Sequence, residues 1–421
     1  MPPKRPIVPS IVSQHLEDAA SLRSVRSVLV RAPHVKLLQL GRADERLLAH
    51  LDGLAVAGDE GYAMAQAALE VPGVGQLFVV AALAIERRDR AQIDRLLALL
   101  DAIPDAPRAL ASAFGWVSAP LLQGLTAPLL ASTRASERWL GVAACAAHRV
   151  DPGAAVAAAV DQPDARLLAQ ALRTAAQVGR LDILPAALRH LEHADPVCQL
   201  AAAWAAVLLG DRTKGQATLQ ALALRQSTPL RKALQLALLA ADLGTARGIV
   251  RQLVTQGAPP RIVIQASGWA GDVQAAPWLI KQMADDRQAR VAGEAFSLLT
   301  GADLALLDLE RKSPESIEGG PTENPDDEDV ALDEDESLPW PDPDKVQAWW
   351  QAHAAALPQG VRSFVGATAN AAHCTQVLAA ATQRQRHAAA MLLSLMQPGT
   401  PLFNVAAPAH RQRRLLNQPV S

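Results

Sequence analysis

The chain has 421 residues, half of them hydrophobic but only 3% aromatic, and a formal net charge of -2. Ala and Leu dominate, while the Val, Ile and aromatic alternation that strands need is scarce, which argues against a β fold and for closely packed helices. Cys145, Cys198 and Cys374 lie far apart in helical surroundings and read as buried small hydrophobes rather than a disulfide framework.

In chain order, Met1-Pro2-Pro3-Lys4-Arg5-Pro6 is charged and Pro-rich, with no apolar core of signal length after it, so no signal peptide is expected. No apolar run reaches membrane-spanning length, and a cytoplasmic protein with no membrane contact is the expectation. Residues 1–130 read as an irregular N-terminal helical cap. Ile11, His15, Leu22, Val25 and Leu29 fall near one helical face, Leu77 to Ile85 and Ile93 to Leu100 read as buried helices, and Pro104 and Pro107 break the chain after them.

From 131 to 312 a two-helix unit recurs. Breaks containing Gly or Asp close one apolar helix and open another at Val150-Asp151-Pro152-Gly153, Gly179-Arg180-Leu181-Asp182, Gly210-Asp211, Leu243-Gly244-Thr245, Gly271-Asp272 and Gly301-Ala302-Asp303. From Gly179 the glycine intervals are 31, 34, 27 and 30 residues. Gly suits the left-handed residue that ends a helix, and a neighbouring Asp can cap the next. Pro185 and Pro277 sit near the start of second helices, where a missing N–H costs little. The fold expected is all-α, an α-solenoid of HEAT-like helical hairpins.

Residues 313–344 hold thirteen Asp and Glu and no Lys or Arg, which leaves 40 basic against 29 acidic residues elsewhere. A stretch so acidic and so poor in apolar groups cannot offset its ordering entropy by burial, and a disordered linker is expected there. It reads as a solvated spacer, with an acidic arm folding back on a basic face as the sharper alternative. A C-terminal helical segment, 345–421, follows. It opens on a helix capped by Asp342 or Asp344, continues through an extended or turn segment at Gly360 to Gly366, and carries a helix from Gln376 to Met396.

Several stretches resemble an uncharacterised family of bacterial HEAT-repeat-like proteins, often encoded near type VI secretion genes. The resemblance rests on His50-Leu51-Asp52-Gly53-Leu54, Ala144-Cys145-Ala146-Ala147-His148-Arg149-Val150-Asp151-Pro152-Gly153, Gly293-Glu294-Ala295-Phe296-Ser297, Thr300-Gly301-Ala302-Asp303-Leu304, Trp349-Trp350 and Gln383-Arg384-Gln385-Arg386-His387-Ala388-Ala389-Ala390. Ser363-Phe364 departs from it, an aromatic followed by Leu being the family pattern. The resemblance implies no activity, and its genomic neighbourhood is an association rather than a mechanism.

No catalytic, metal or cofactor constellation emerges. Cys145-x-x-His148 and His190-x-x-His193 are half-sites with no second pair at zinc-finger distance. The side chains of His373 and Cys374 point about 100° apart on a helix. Gly73-Val74-Gly75 reads as a turn lacking the third Gly of a dinucleotide fingerprint. Asp285-Asp286 reads as a cap. Arg23, Arg26, Arg31, Lys36 and Arg42 near the start, with Arg384, Arg386, Arg411, Arg413 and Arg414 near the end, raise nucleic-acid binding, but the chain is slightly acidic overall and stacking aromatics are few.

The function expected is therefore non-enzymatic: a protein-binding scaffold or adaptor, with type VI secretion effector or spike handling as the context the resemblance implies. An immunity protein that blocks a toxin and an enzyme of the HEAT-repeat lyase type are the alternatives. Candidate partner-binding residues are Arg166, Arg173, Arg231, Arg251 and Arg290 on the repeats, with Trp349 and Trp350, whose adjacency keeps a helix from burying both on one narrow face.

Overall fold

The computed structural model describes residues 7–225, 230–314 and 333–417. Among these the regular structure is helical apart from a ribbon of two two-residue strands and isolated bridges such as that between Glu310 and Pro341. The first half contains α1 (Pro9–Leu29), α2 (Leu37–Val56), α3 (Gly58–Ala67), α4 (Val74–Glu86), α5 (Arg90–Ala98), α6 (Ala106–Trp116), α7 (Thr126–Leu130), α8 (Ala135–His148), α9 (Ala154–Ala159), α10 (Ala165–Val178) and α11 (Leu184–Arg189). Then come α12 (Pro196–Leu208), α13 (Lys214–Ala223), α14 (Leu230–Ala240), α15 (Leu243–Thr255), α16 (Pro260–Ala270), α17 (Ala276–Gln282) and α18 (Asp286–Thr300). After the acidic stretch follow α19 (Pro343–His353), the ribbon β1 (Ser363–Phe364) and β2 (Ala367–Thr368), α20 (Ala371–Ala380), α21 (Gln383–Met396) and α22 (Ala409–Leu416).

The helix boundaries follow the turn chemistry. Gly179, Gly271 and Gly301 end α10, α16 and α18 in the left-handed region. Asp164, Asp242, Asp285 and Asp342 accept backbone N–H bonds at the starts of α10, α15, α18 and α19. Gly244 differs from the expectation: it lies inside the first turn of α15, and Asp242 makes the cap. Gly73 and Gly75 differ as well. Gly73 precedes α4 and Gly75 lies within it, where a Cβ would come 2.6 Å from the carbonyl oxygen of Ala20 on α1.

The chain forms two compact units, Met1–Arg31 with Val35–Ala205 and Gly399–Ser421, and Ala32–His34 with Ala206–Pro398. This division falls inside the array drawn from sequence at 131–312 rather than at its ends. In the first unit α4 packs on α1, α6 on α4, α8 on α6 and α10 on α8. Every residue from Leu77 to Ile85 is buried in that unit's core. The last described residues close onto it. Asn404 Nδ2 donates to the Ala147 carbonyl at 2.9 Å, the backbone N–H of Ala409 donates to Asp44 at 2.6 Å, and Asp44 also accepts from Arg26 at 2.6 Å. Arg411 donates to the carbonyls of Gly115, Trp116 and Val117, where α6 ends. A cation there satisfies the orphan acceptors of a helix C-terminus.

In the second unit α14 packs on α13, α16 on α14 and α18 on α16, while α15 and α17 lie against α16 and α18. Gly268 lets α16 and α18 approach, since a Cβ there would meet Ala295 at 3.1 Å. β1 lies beside the end of α18, with Ser363 Oγ donating to the Leu299 carbonyl at 2.8 Å. The neighbouring Arg362 donates to four carbonyls, those of Leu238 and Ala241 at the end of α14 and of Trp269 and Ala270 at the end of α16, all within 2.9 Å. Burial pushes its guanidinium down to about 10. The extended or turn segment expected at Gly360 to Gly366 is thus a clamp across two helix ends.

Residues 315–332, most of the expected linker, lie outside the described residues. Its C-terminal part is not a free spacer. Arg311 N–H donates to the Trp340 carbonyl at 2.8 Å, Asp342 N–H to the Leu309 carbonyl at 2.9 Å, and Asp335 is only 4% exposed. Ion pairing offsets the ordering cost that composition alone made prohibitive.

Candidate functional site

The described part of the acidic segment lies on a row of arginines in the second unit. Arg231 in the first turn of α14, Arg261 in the first turn of α16 and Arg290 in the N-terminal half of α18 are spaced 30 and 29 residues apart. Because α14, α16 and α18 pack in succession, this near-repeat spacing turns a sequence period into a line of guanidinium groups. Arg384, in the first turn of α21, joins them.

These four groups converge on Asp333, Glu334 and Asp335. Arg261 holds Asp335 with Nη1 to Oδ2 and Nη2 to Oδ1, each 2.6 Å. Arg231 pairs with Glu334 at 2.9 Å, and Arg261 also reaches Glu334 at 3.3 Å. Arg290 pairs with Asp333 at 2.5 Å and donates to the Asp335 main-chain carbonyl at 3.1 Å. Arg384 donates to the Glu334 carbonyl at 2.8 Å and to Glu294 at 2.7 Å. Trp340 completes the edge, its ring 4.6 Å from the Arg290 guanidinium and 5.9 Å from that of Arg311.

The electrostatics match the geometry. The hydrogen bonds to Asp335, against the cost of burial, hold Arg261 above its ordinary value, with the Asp335 and Glu334 charges adding to them. Burial alone would raise Asp333, but the Asp335 N–H and the Arg290 guanidinium outweigh it and keep Asp333 below the usual carboxylate range. Glu294 moves the other way: burial raises it, and Arg384 offsets only part of the rise.

Of the five arginines read from sequence as partner-binding candidates, the structure brings Arg231 and Arg290 together and separates the other three. Arg251 is exposed on α15, which contributes nothing to the row. Arg166 and Arg173 are on α10 in the first unit. Arg166 is exposed and stacks over Trp139 at 4.4 Å, whereas Arg173 is half-buried and lowered by that burial. Arg261 was missed although its spacing to Arg231 and Arg290 announced it. Arg384 stood out in the sequence only among the arginines that raise nucleic-acid binding, since its place in the row depends on how α21 packs on α14.

Trp349 and Trp350 are both half-buried and share one partner. Each meets the Phe296 ring edge-on, at 5.8 and 6.2 Å between centroids, and Trp349 stacks on His353 at 4.3 Å. A large ring at the junction of α18 and α19 accommodates two adjacent indoles where a narrow helical face would not.

His148, His190, His373, the three cysteines and Arg386 are engaged in packing. The imidazoles of His148, His190 and His373 bond the carbonyls of Phe114, Val160 and Phe364 at 2.7 to 2.9 Å. Burial pushes Cys145, Cys198 and Cys374 up to about 11. Arg386 is fully buried and donates to the Leu378 carbonyl at 2.7 Å. Among the described residues no group of three or more His, Cys, Asp or Glu is placed to hold a metal ion, and no helix is long and apolar enough to cross a membrane.

Comparisons with protein-family models, with curated proteins and with solved structures match nothing to this chain.

Proposed function

We propose that the protein is a non-enzymatic binding scaffold, an α-solenoid of HEAT-like hairpins that holds a protein partner. The observation that carries this reading is the arginine row itself. The same donor chemistry recurs on three successively packed helices, α14, α16 and α18, and it already holds a peptide segment. Stacked hairpins offer such a surface because each helix contributes one position per repeat to a continuous line. The packing of every second helix on the one before it, seen separately in each unit, supports the solenoid arrangement. The family resemblance supports looking for the partner among type VI secretion components, as an adaptor for an effector or spike.

The test is affinity purification of the full chain from cells expressing secretion genes, followed by reconstitution with the purified captured protein. A spike or baseplate component that binds stoichiometrically supports the adaptor role, and a single toxin would turn it into immunity. Turnover of a small molecule by the purified chain, with no reconstituted complex, would end the scaffold reading.

A further inference from the structure

We propose that the row formed by Arg231, Arg261, Arg290 and Arg384 is a receptor for an acidic, turn-forming peptide of a partner protein, and that Asp333-Glu334-Asp335 is its built-in competitor. This rests on the scaffold reading and adds the partner's chemistry and a control on its access.

Three features of the occupied row point to a peptide. The guanidinium groups take both side chains and main chain: Arg261 reads a carboxylate with two parallel bonds, while Arg290 and Arg384 donate to the carbonyls of Asp335 and Glu334. Main-chain carbonyls are a peptide feature that a polyphosphate backbone lacks, and planar guanidinium forks match carboxylates. The donors come from four separate helices and close around a turn, in which the Glu336 N–H donates to the Asp333 carbonyl at 3.1 Å, so together they select a compact, multiply acidic segment. The occupant is also held unevenly. Asp335 is 4% exposed and anchored, but the Glu334 side chain is 60% exposed, and exposed ion pairs contribute little.

The competitor has the advantage of tethering, because a segment on the same chain faces the row at high effective concentration. A partner peptide must therefore either carry more matching charge or bind elsewhere on the scaffold as well. Opening the row means that Asp333, Glu334 and Asp335 leave together, and the incoming carboxylates take over the same donors without leaving a guanidinium stranded.

The experiment uses the full-length chain and a fluorescein-labelled peptide with the sequence of residues 331–338, followed by anisotropy at low and physiological salt. The triple variant Asp333→Asn, Glu334→Gln, Asp335→Asn should bind the probe at least about tenfold more tightly than the unaltered chain, because the tethered competitor is weakened. Adding Arg261→Ala to that variant should abolish the gain. Should the triple variant lose its helical circular dichroism, Glu334→Gln alone serves, and about a threefold gain is expected. Equal affinity in variant and unaltered chain, binding indifferent to Arg261→Ala, or tighter binding of an oligonucleotide of the same charge would each overturn the proposal. A reconstituted partner that binds the unaltered chain and Arg261→Ala equally would leave the scaffold reading standing and sink this one.

Discussion

Arg261 and Asp335 lie fork to fork, two parallel bonds of 2.6 Å joining residues 74 positions apart. Asp335 is nearly inaccessible, so removing the guanidinium strands a carboxylate. Arg261→Ala should destabilise the chain by about 2–4 kcal/mol, short of the deepest buried pairs because Arg261 is partly solvated. Asp335→Ala should cost less, since Arg261 keeps Glu334 at 3.3 Å. Urea denaturation of both variants checks the order, and an unchanged midpoint for Arg261→Ala would show that the pair does not hold the segment.

Arg362 should matter more than its position in a short turn suggests. Its guanidinium completes the last carbonyls of both α14 and α16. Arg362→Met keeps much of the length and removes every donor, at an expected cost of about 2–4 kcal/mol. Arg362→Lys should fall between the two, because an ammonium cannot span two helix ends with a fixed fork. Thermal unfolding of the three proteins measures this.

Two carboxylates of the second unit should pull the pH dependence of stability in opposite directions. Asp333 is depressed in the fold, so its contribution is present above its unfolded value near ~3.9 and is lost as pH falls through the lower folded value. Glu294 is raised, so its contribution is complete below its unfolded value near ~4.3 and is lost as pH rises through the folded one. Asp333→Asn should flatten the acid limb of the urea midpoint against pH, and Glu294→Gln should flatten the limb above ~4.3. A single variant that flattened both limbs would contradict the separate assignments.

Trp349 and Trp350 should not behave independently. Each leans on Phe296, and each is half-exposed, so either single Ala substitution should cost about 1–2 kcal/mol, below the full-burial range. The double variant should differ from the sum of the singles by at least about 0.5 kcal/mol, because Phe296 loses its contacts only once. A double-mutant cycle gives the coupling directly, and strict additivity would mean that the two indoles do not share their support.

Local chemistry made much of the helical framework legible. The left-handed glycines 179, 271 and 301, the capping Asp285 and Asp342, and the buried run Leu77 to Ile85 are decided by residues within a turn or two of one another. Half of the arginine row was legible for the same reason: Arg231 and Arg290 stand out on repeated amphipathic helices. Arg261 was equally visible by spacing, and Gly244 and Gly75 misled because a glycine inside a helix looks like a break.

By itself the sequence determined an all-α chain with recurrent helix breaks and a strongly acidic segment, since periodicity, turn residues and composition act over short distances. Only the tertiary structure decided that Arg362 spans two helix ends, that Gly399–Ser421 belongs with the first unit, and that Asp333 to Asp335 lie on arginines from four helices. Those outcomes depend on contacts between residues tens to hundreds of positions apart, where burial and Coulomb attraction reverse what composition predicts for an isolated stretch.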